Sequence, residues 1–97
     1  NMATINLTKE NLDSIRELAS CAMSIKEVAI ILGVDEKEFK VLATDPTTEI
    51  YKAYKAGELE TKAKINKAIV KMAERGSNPA QIMAKKLLEH TNIENQD

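Results

Sequence analysis

The stretch "VAIILGVDEKEFKVL", residues 28–42, decides the fold of this chain. Ala29 is small enough for two helices to cross closely, and Gly33, four residues later, suits a tight turn that needs a left-handed backbone. Apolar residues that can hold the angle between the two helices follow at Val34, Phe39 and Leu42. The spacing of these small, flexible and apolar positions predicts a helix-turn-helix.

The start of each helix in this motif is marked by a capping pattern. Ser24 is followed by Glu27, and Asp35 is followed by Glu38, each pair three residues apart. A side-chain oxygen at the first position can accept from a backbone amide, and a glutamate three residues later can return the bond. We therefore expect one helix to begin after Ser24 and end at Gly33, and another to run from Asp35 to about Ala43.

The composition of the chain indicates one mainly helical domain with an aliphatic core. It has 97 residues, of which 43% are hydrophobic and only 3% aromatic, with three glycines and two prolines. The longest apolar run, residues 28–32, is far shorter than the ~20 residues that cross a bilayer, so no membrane partner is expected. A single cysteine, Cys21, cannot form an internal disulfide, which favours a cytoplasmic setting. We expect Cys21 to be a small buried filler.

Helices are also predicted on either side of the motif. Thr8 can cap a first helix that fades near residue 21, so that residues 1–6 form a flexible lead and residues 7–45 a helix-turn-helix module. Asp45 as cap and Pro46 at the first position predict a long helix over residues 46–75. Gly76 ends it, and a last helix from Asn78 to about residue 91 would complete a helical hairpin over residues 46–91, followed by a disordered tail over residues 92–97.

The long helix carries two apolar strips on opposite faces. Gly57 does not break the helical phase of the larger strip, so we expect one continuous helix with a core-facing side at Ile50, Tyr51, Tyr54, Ile65, Ala68, Ile69 and Met72. The smaller strip contains Leu59, Ala63 and Val70. Two explanations stay open for it: contact with another copy, which makes a homo-oligomer, or cover by the first helix folding back.

The third helix carries the candidate DNA contacts. If Phe39 and Ala43 face inward, the outward face contains Glu36, Lys37, Lys40, Val41 and Thr44. In duplex DNA the two lysines would contact phosphate or guanine, and Thr44 would contact phosphate. Glu36 opposes this use because a carboxylate is repelled by phosphate, whereas Asp35 and Glu38 can be occupied in capping.

Charge is distributed unevenly along the chain. Residues 1–50 contain five basic and nine acidic side chains, whereas residues 51–97 contain nine basic and six acidic ones. Phosphate neutralisation supplies much of the affinity of duplex-binding proteins, so an acidic motif half is unusual for them. Three lysines on one flank of the long helix offer a second strip for phosphate: Lys64, Lys67 and Lys71.

That lysine flank has an ordinary alternative, since it can be a solvated face. Glu58 with Lys62, and Glu60 with Lys64, have the i,i+4 spacing of surface ion pairs. The chain also lacks HExxH, CxxC, GxSxG and glycine-rich phosphate-loop motifs. These patterns argue against an enzyme, and no metal or cofactor is expected.

The order of three segments resembles a known family. The helix-turn-helix "VAIILGVDEKEFKVL" is followed by "YKAYKAG" at residues 51–57 and by "MAERGSNPAQIMAKKLLEH" at residues 72–90. This order is similar to phage small-terminase proteins, with Tyr54 and Gly57 in the first arm of a hairpin and Ala80 in the second. The resemblance implies a non-catalytic DNA-packaging subunit that assembles through its hairpin, presents helix-turn-helix modules to viral DNA and regulates a large motor subunit.

Residue by residue, the resemblance implies that Lys37, Lys40 and Thr44 contact DNA and that the hairpin strips form the assembly surface. A second hypothesis is a protein-interaction module, in which the helix-turn-helix is only a scaffold and its acidic face meets a basic partner. Self-association is expected under both hypotheses, because both leave the strip of Leu59, Ala63 and Val70 to be covered.

Overall fold

A computed structural model describes residues 8–97, which form five helices. The helices are α1 (Lys9–Ser20), α2 (Ile25–Leu32), α3 (Glu36–Ala43), α4 (Glu49–Glu74) and α5 (Asn78–Asn95). The fold is thus all-helical, with the three short helices, the long helix and the helical hairpin that the sequence predicts. The predicted lead, residues 1–6, and the first residue of the predicted module, residue 7, lie outside the described residues. The chain divides into two compact units with the boundary after Thr61.

The helix starts are governed by the predicted capping residues. Thr8 Oγ1 accepts from the amide of Asn11 at 3.1 Å and caps α1. Ser24 Oγ accepts from the amide of Glu27 at 3.1 Å, and the Glu27 carboxylate accepts from the Ser24 amide at 2.9 Å. This capping box confirms the predicted start of α2. Its end is confirmed at Gly33, which adopts the left-handed conformation with a φ of 71°.

At α3 only half of the predicted capping box forms. Asp35 Oδ2 accepts from the amide of Glu38 at 3.2 Å. The Glu38 side chain does not accept from the Asp35 amide. Among residues 8–97, the complete capping box is the one at α2, which Glu27 completes. One bond suffices to cap the helix, so the Glu38 carboxylate stays exposed at the surface.

The core of the first unit joins α1, α2, α3 and the start of α4. Val28, Ala29 and Phe39 have no exposed surface, as the helix-turn-helix pattern requires. The remaining buried members of the cluster are Ile15, Ala19, Ala43, Ile50 and Tyr54. Since α4 contributes two of these residues, the long helix completes the core of the module, and the predicted module boundary at residue 45 excludes part of that core.

The start of α4 differs from the prediction. Pro46 lies in a turn, and the helix begins three residues later at Glu49. The predicted cap, Asp45, is occupied locally because its Oδ1 accepts from the amide of Thr47 at 3.0 Å and from the hydroxyl of Thr47 at 2.8 Å. Thr48 Oγ1 accepts instead from the amide of Tyr51 at 3.0 Å. Threonine is also a favoured N-cap residue, and the chain closes an Asp45 turn before it begins the helix.

The second unit consists of the end of α4 and α5. Gly76, with a φ of 98°, follows α4, and Ser77 Oγ accepts from the amide of Ala80 at 3.3 Å to cap α5. Gln81 Nε2 donates to the carbonyl of Ala73 at 3.1 Å across this turn. Ala80 is the one buried residue of the unit, and its half-buried residues are Asn66, Ile69, Ala73, Ser77, Ala84 and Leu87. The unit therefore has a seam of small side chains rather than a core.

Two predictions for this unit are wrong. The helix predicted to end near Thr91 continues to Asn95, so most of the tail over residues 92–97 is helical rather than disordered. The predicted core-facing strip does not stay buried either, since Ile65 is 55% exposed and Met72 is 54% exposed. Two helices share a single seam, which covers Ile69 but leaves the flanking positions of the strip without cover.

Cys21 is exposed, so the expectation of a buried filler is also wrong. It follows the last residue of α1 and caps its end, with its amide donating to the carbonyl of Leu18 at 3.0 Å. The next residue, Ala22, has a φ of 63° and turns the chain sharply toward α2. The turn directs Cys21 toward solvent.

Among residues 8–97, no helix combines the length and the apolar character needed to cross a membrane.

Candidate nucleic-acid interface

The outer face of α3 is exposed as predicted. Phe39 and Ala43 are buried against the other helices, whereas Lys37 and Lys40 reach the surface. Val41 is 66% exposed. The amphipathic pattern of α3 thus determined which side of the helix meets solvent.

Thr44 is also exposed, but its hydroxyl is already used. Thr44 is the C-cap residue of α3, and its Oγ1 donates to the carbonyl of Lys40 at 2.6 Å. A phosphate oxygen only accepts hydrogen bonds, so Thr44 would have to give up this bond before it could contact a phosphate. The two lysines are therefore better placed for phosphate than Thr44.

Lys37 and Lys40 line a cleft together with residues that are not among the predicted DNA contacts. The cleft has a volume of about 620 Å³ and lies within the first unit. Lys26, from the first turn of α2, and Lys55, from α4, bring its lysines to four. Lys26 could have been found, because the N-terminus of the first helix of such a motif lies near the nucleic-acid backbone in its complexes. Nothing in the local sequence places Lys55 beside α3.

The charges of the cleft are only partly compensated. Lys55 Nζ is 2.8 Å from Glu58 Oε1, and this bond is the main reason that the pKa of Lys55 is raised. Within the described part of the chain, Lys26, Lys37 and Lys40 take part in no ion pair. Glu36 lines the same cleft and is likewise unpaired. Three free lysines thus face one free carboxylate.

Two tyrosines of α4 form the wall opposite α3. Tyr54 is nearly buried, and its hydroxyl donates to the carbonyl of Met23 at 2.6 Å. Burial is the main cause of the raised pKa of Tyr54. Lys55 Nζ lies 5.8 Å from the ring centroid of Tyr51, within the range of a cation–π contact. These contacts hold the wall in position.

The lysine flank of α4 does not contribute to the lining of this cleft. Lys64, Lys67 and Lys71 are exposed and belong to the second unit. The acidic partners predicted for this region bind elsewhere, since Glu58 pairs with Lys55 and Glu60 with Arg16 Nε at 2.5 Å. Of the six candidate DNA contacts, the structure brings Lys37, Lys40 and Thr44 together at α3. The three lysines of the flank belong to the other unit.

The smaller apolar strip of α4 is largely uncovered. Leu59 is 49% exposed and Val70 is 43% exposed, and Ala63 is exposed as well. The first helix does fold against α4, where the hydroxyl of Thr61 donates to the carbonyl of Ser20. That contact leaves about half of Leu59 exposed.

Comparisons of the chain with family models, with curated proteins and with solved structures found no match.

Proposed function

We propose that this chain is a non-catalytic duplex-DNA-binding protein, of the small-terminase type that its segment order resembles. The observation that carries the proposal is the group of three unpaired lysines, Lys26, Lys37 and Lys40, around the exposed face of a fully packed helix-turn-helix. An α-helix fits the major groove, and lysines at its edge neutralise phosphates and release counterions.

In this arrangement the two helices of the motif have different tasks. Lys26 lies in the first turn of α2, where it would contact the phosphate backbone together with free amides of the helix start. Lys37 and Lys40 would accompany α3 into the groove. Glu36 lines the same cleft and weakens the attraction, so we expect one module to bind duplex DNA weakly.

Assembly of several copies would compensate for this weakness. In the second unit, seven large apolar side chains are between 43% and 68% exposed: Ile65, Val70, Met72, Ile82, Met83, Leu88 and Ile93. Their burial would remove on the order of 400 Å² of apolar surface per copy, taking about 60–120 Å² for each whole side chain. The apolar share of a standard interface is of the same order. Self-association through this unit would then raise the affinity by presenting several modules to one duplex.

The decisive experiment is a fluorescence-anisotropy titration of a labelled duplex at low salt. We expect the double variant Lys37→Ala/Lys40→Ala to weaken binding at least about tenfold, since two phosphate contacts are lost. The matched control is Lys85→Ala/Lys86→Ala, which removes the same charge from exposed positions on α5. No binding of the unaltered chain at tens of micromolar protein, or equal losses in both double variants, would contradict the proposal.

A second candidate function is a protein-interaction module. It is favoured by the exposure of large apolar side chains on the first unit, namely Ile30, Ile31 and Val41. Exposed apolar surface of this kind marks candidate sites of protein contact. This alternative predicts that Ile31→Asp abolishes capture of a partner and leaves DNA binding unchanged, whereas the DNA proposal predicts that lysine removal has the larger effect.

A further inference from the structure

The cleft between α3 and the first half of α4 has properties that DNA binding does not require. Its volume of about 620 Å³ is within the range of small-molecule sites, about 300–1,000 Å³. The start of α2 contributes Ser24 and Ile25 to its lining. The face of α3 that carries Lys37 and Lys40 forms one side of this concavity.

The apolar lining of the cleft is well supported. Ala43 and Tyr54 are buried, and Ile25 and Tyr51 are half-buried. The hydrogen bond from the Tyr54 hydroxyl to the carbonyl of Met23 holds the ring in place. Aromatic and aliphatic side chains in this arrangement provide a preformed surface for an apolar or aromatic body.

The rim of the cleft is cationic. Lys26, Lys37 and Lys40 carry uncompensated charge, and Lys55 neutralises Glu58. Glu36 is then the remaining unpaired carboxylate of the rim. The net charge of the unpaired rim groups is positive, so the cleft attracts anions and disfavours cations.

We propose that this cleft is a binding site for a small amphipathic anion, an organic carboxylate or sulfonate with an aromatic or aliphatic body. The body lies against Tyr51 and Tyr54, and the anionic group is held by Lys37 and Lys40. This site does not depend on the proposed DNA function. If duplex DNA binds the same two lysines, the anion and the duplex compete for the chain. This competition is the one part of the proposal that rests on the proposed function.

A suitable probe is 1-anilinonaphthalene-8-sulfonate, an aromatic sulfonate whose fluorescence rises on apolar binding. We expect saturable enhancement with the full chain, and at least a tenfold weaker affinity in Lys37→Ala/Lys40→Ala. Lys85→Ala/Lys86→Ala should differ from the unaltered chain by less than twofold. Unsaturable enhancement, or equal affinities in the two double variants, would overturn the proposal.

The exposed apolar residues of the second unit could also bind this probe, and the variant Val70→Asp/Leu88→Asp separates the two sites. Enhancement that survives this change supports the cleft, and enhancement that disappears with it contradicts the proposal. The neutral analogue N-phenyl-1-naphthylamine should bind more weakly than the sulfonate, because it lacks the group that the lysines hold. Binding of equal strength would show that the lysines have no part in it.

Amide chemical shifts of the unaltered chain provide a test that needs no variant. On titration with the sulfonate, the amides of Lys26, Lys37 and Ala43 should move together, while those of α5 remain in place. Shifts confined to α5, or spread evenly over the chain, would overturn the proposal. Competition is measured by adding the sulfonate to the protein–DNA complex. Displacement of the duplex by the sulfonate supports binding of both to the same lysines. If the chain does not bind DNA at all, the proposed function fails, and the test of the cleft by the probe is unaffected.

Discussion

Gly57 of α4 lies directly against the backbone of Arg16 in α1. A Cβ at position 57 would overlap the carbonyl oxygen of Arg16 and lie 2.9 Å from the Cβ of Ala19. Gly57 is buried in the middle of a helix, where a glycine costs about 0.5–1 kcal/mol relative to alanine. The close approach of the two helices explains why glycine occupies this position. The Arg16–Glu60 ion pair and the Thr61–Ser20 hydrogen bond join the same two helices.

The first prediction concerns this helix contact. Gly57→Ala should lower the free energy of unfolding by about 1–3 kcal/mol, because the added methyl group forces α1 away from α4. Helix propensity alone would give the opposite sign, a gain of about 1 kcal/mol. Urea unfolding followed by circular dichroism distinguishes the two, and a stabilised variant would refute the close approach.

The second prediction concerns the hydroxyl of Tyr54. Tyr54→Phe should lower the free energy of unfolding by about 1 kcal/mol, since the hydrogen bond to the Met23 carbonyl is lost. Tyr51→Phe is the matched control, because the Tyr51 hydroxyl makes no hydrogen bond within residues 8–97 and should cost little. Equal effects of the two changes in urea unfolding would show that the Met23 bond contributes nothing.

The same hydroxyl predicts part of the pH dependence of stability. Burial raises the pKa of Tyr54 in the folded chain above its ordinary value of 10.0. Above that pH the unfolded chain releases the proton and the folded chain retains it, so the stabilisation is present below pH 10 and is lost as the pH rises through the folded pKa. Between pH 9 and 11, Tyr54→Phe should lose less stability than the unaltered chain in urea unfolding. A steeper loss in the variant would contradict this.

The third prediction concerns the unpaired carboxylate of the cleft. Glu36→Gln should raise affinity for duplex DNA several-fold at low salt, because a group repelled by phosphate is replaced by a neutral one of the same shape. Glu38→Gln, on the same helix but outside the cleft, should have a smaller effect. If Glu36→Gln leaves DNA binding unchanged and instead weakens binding of a protein partner, the result supports the protein-interaction hypothesis.

The fourth prediction concerns self-association through α4. Leu59→Asp/Val70→Asp should shift the mass measured by light scattering toward the monomer, with helicity retained, since both side chains are largely exposed. The matched control Lys64→Ala/Lys71→Ala lowers the net charge by the same two units at exposed positions of α4 outside the strip, and should leave assembly in place. A monomeric unaltered chain at high concentration would refute self-association. Loss of helicity in the first variant would show that the strip is internal.

Local chemistry explains which parts of the fold were predictable. Ser24 with Glu27, and Gly33 after α2, form their bonds and turn within a few residues, so their patterns suffice to place α2. The inward face of α3 follows from the spacing of Phe39 and Ala43 in the same way. The predicted start of α4 is wrong because Asp45 and Thr48 are both good N-cap residues. Which of them caps the helix depends on the Thr48 hydroxyl, which also donates to the carbonyl of Leu42 at 2.6 Å.

The candidate site was predictable only in part. Lys37 and Lys40 follow from the outward face of α3, but a lone helix says nothing of the wall opposite. Lys55 and Tyr51 reach the cleft because α4 packs against the module core through Ile50 and Tyr54, a contact between residues far apart in the chain.

By itself, then, the sequence determined an all-helical chain with a helix-turn-helix, because caps, turn glycines and apolar spacing act over a few residues. Tertiary packing alone decided the α1–α4 contact at Gly57, the cleft beside α3 and the exposure of Ile65 and Met72. These features depend on which helix covers which face, and a side chain is buried only where another element is present to cover it.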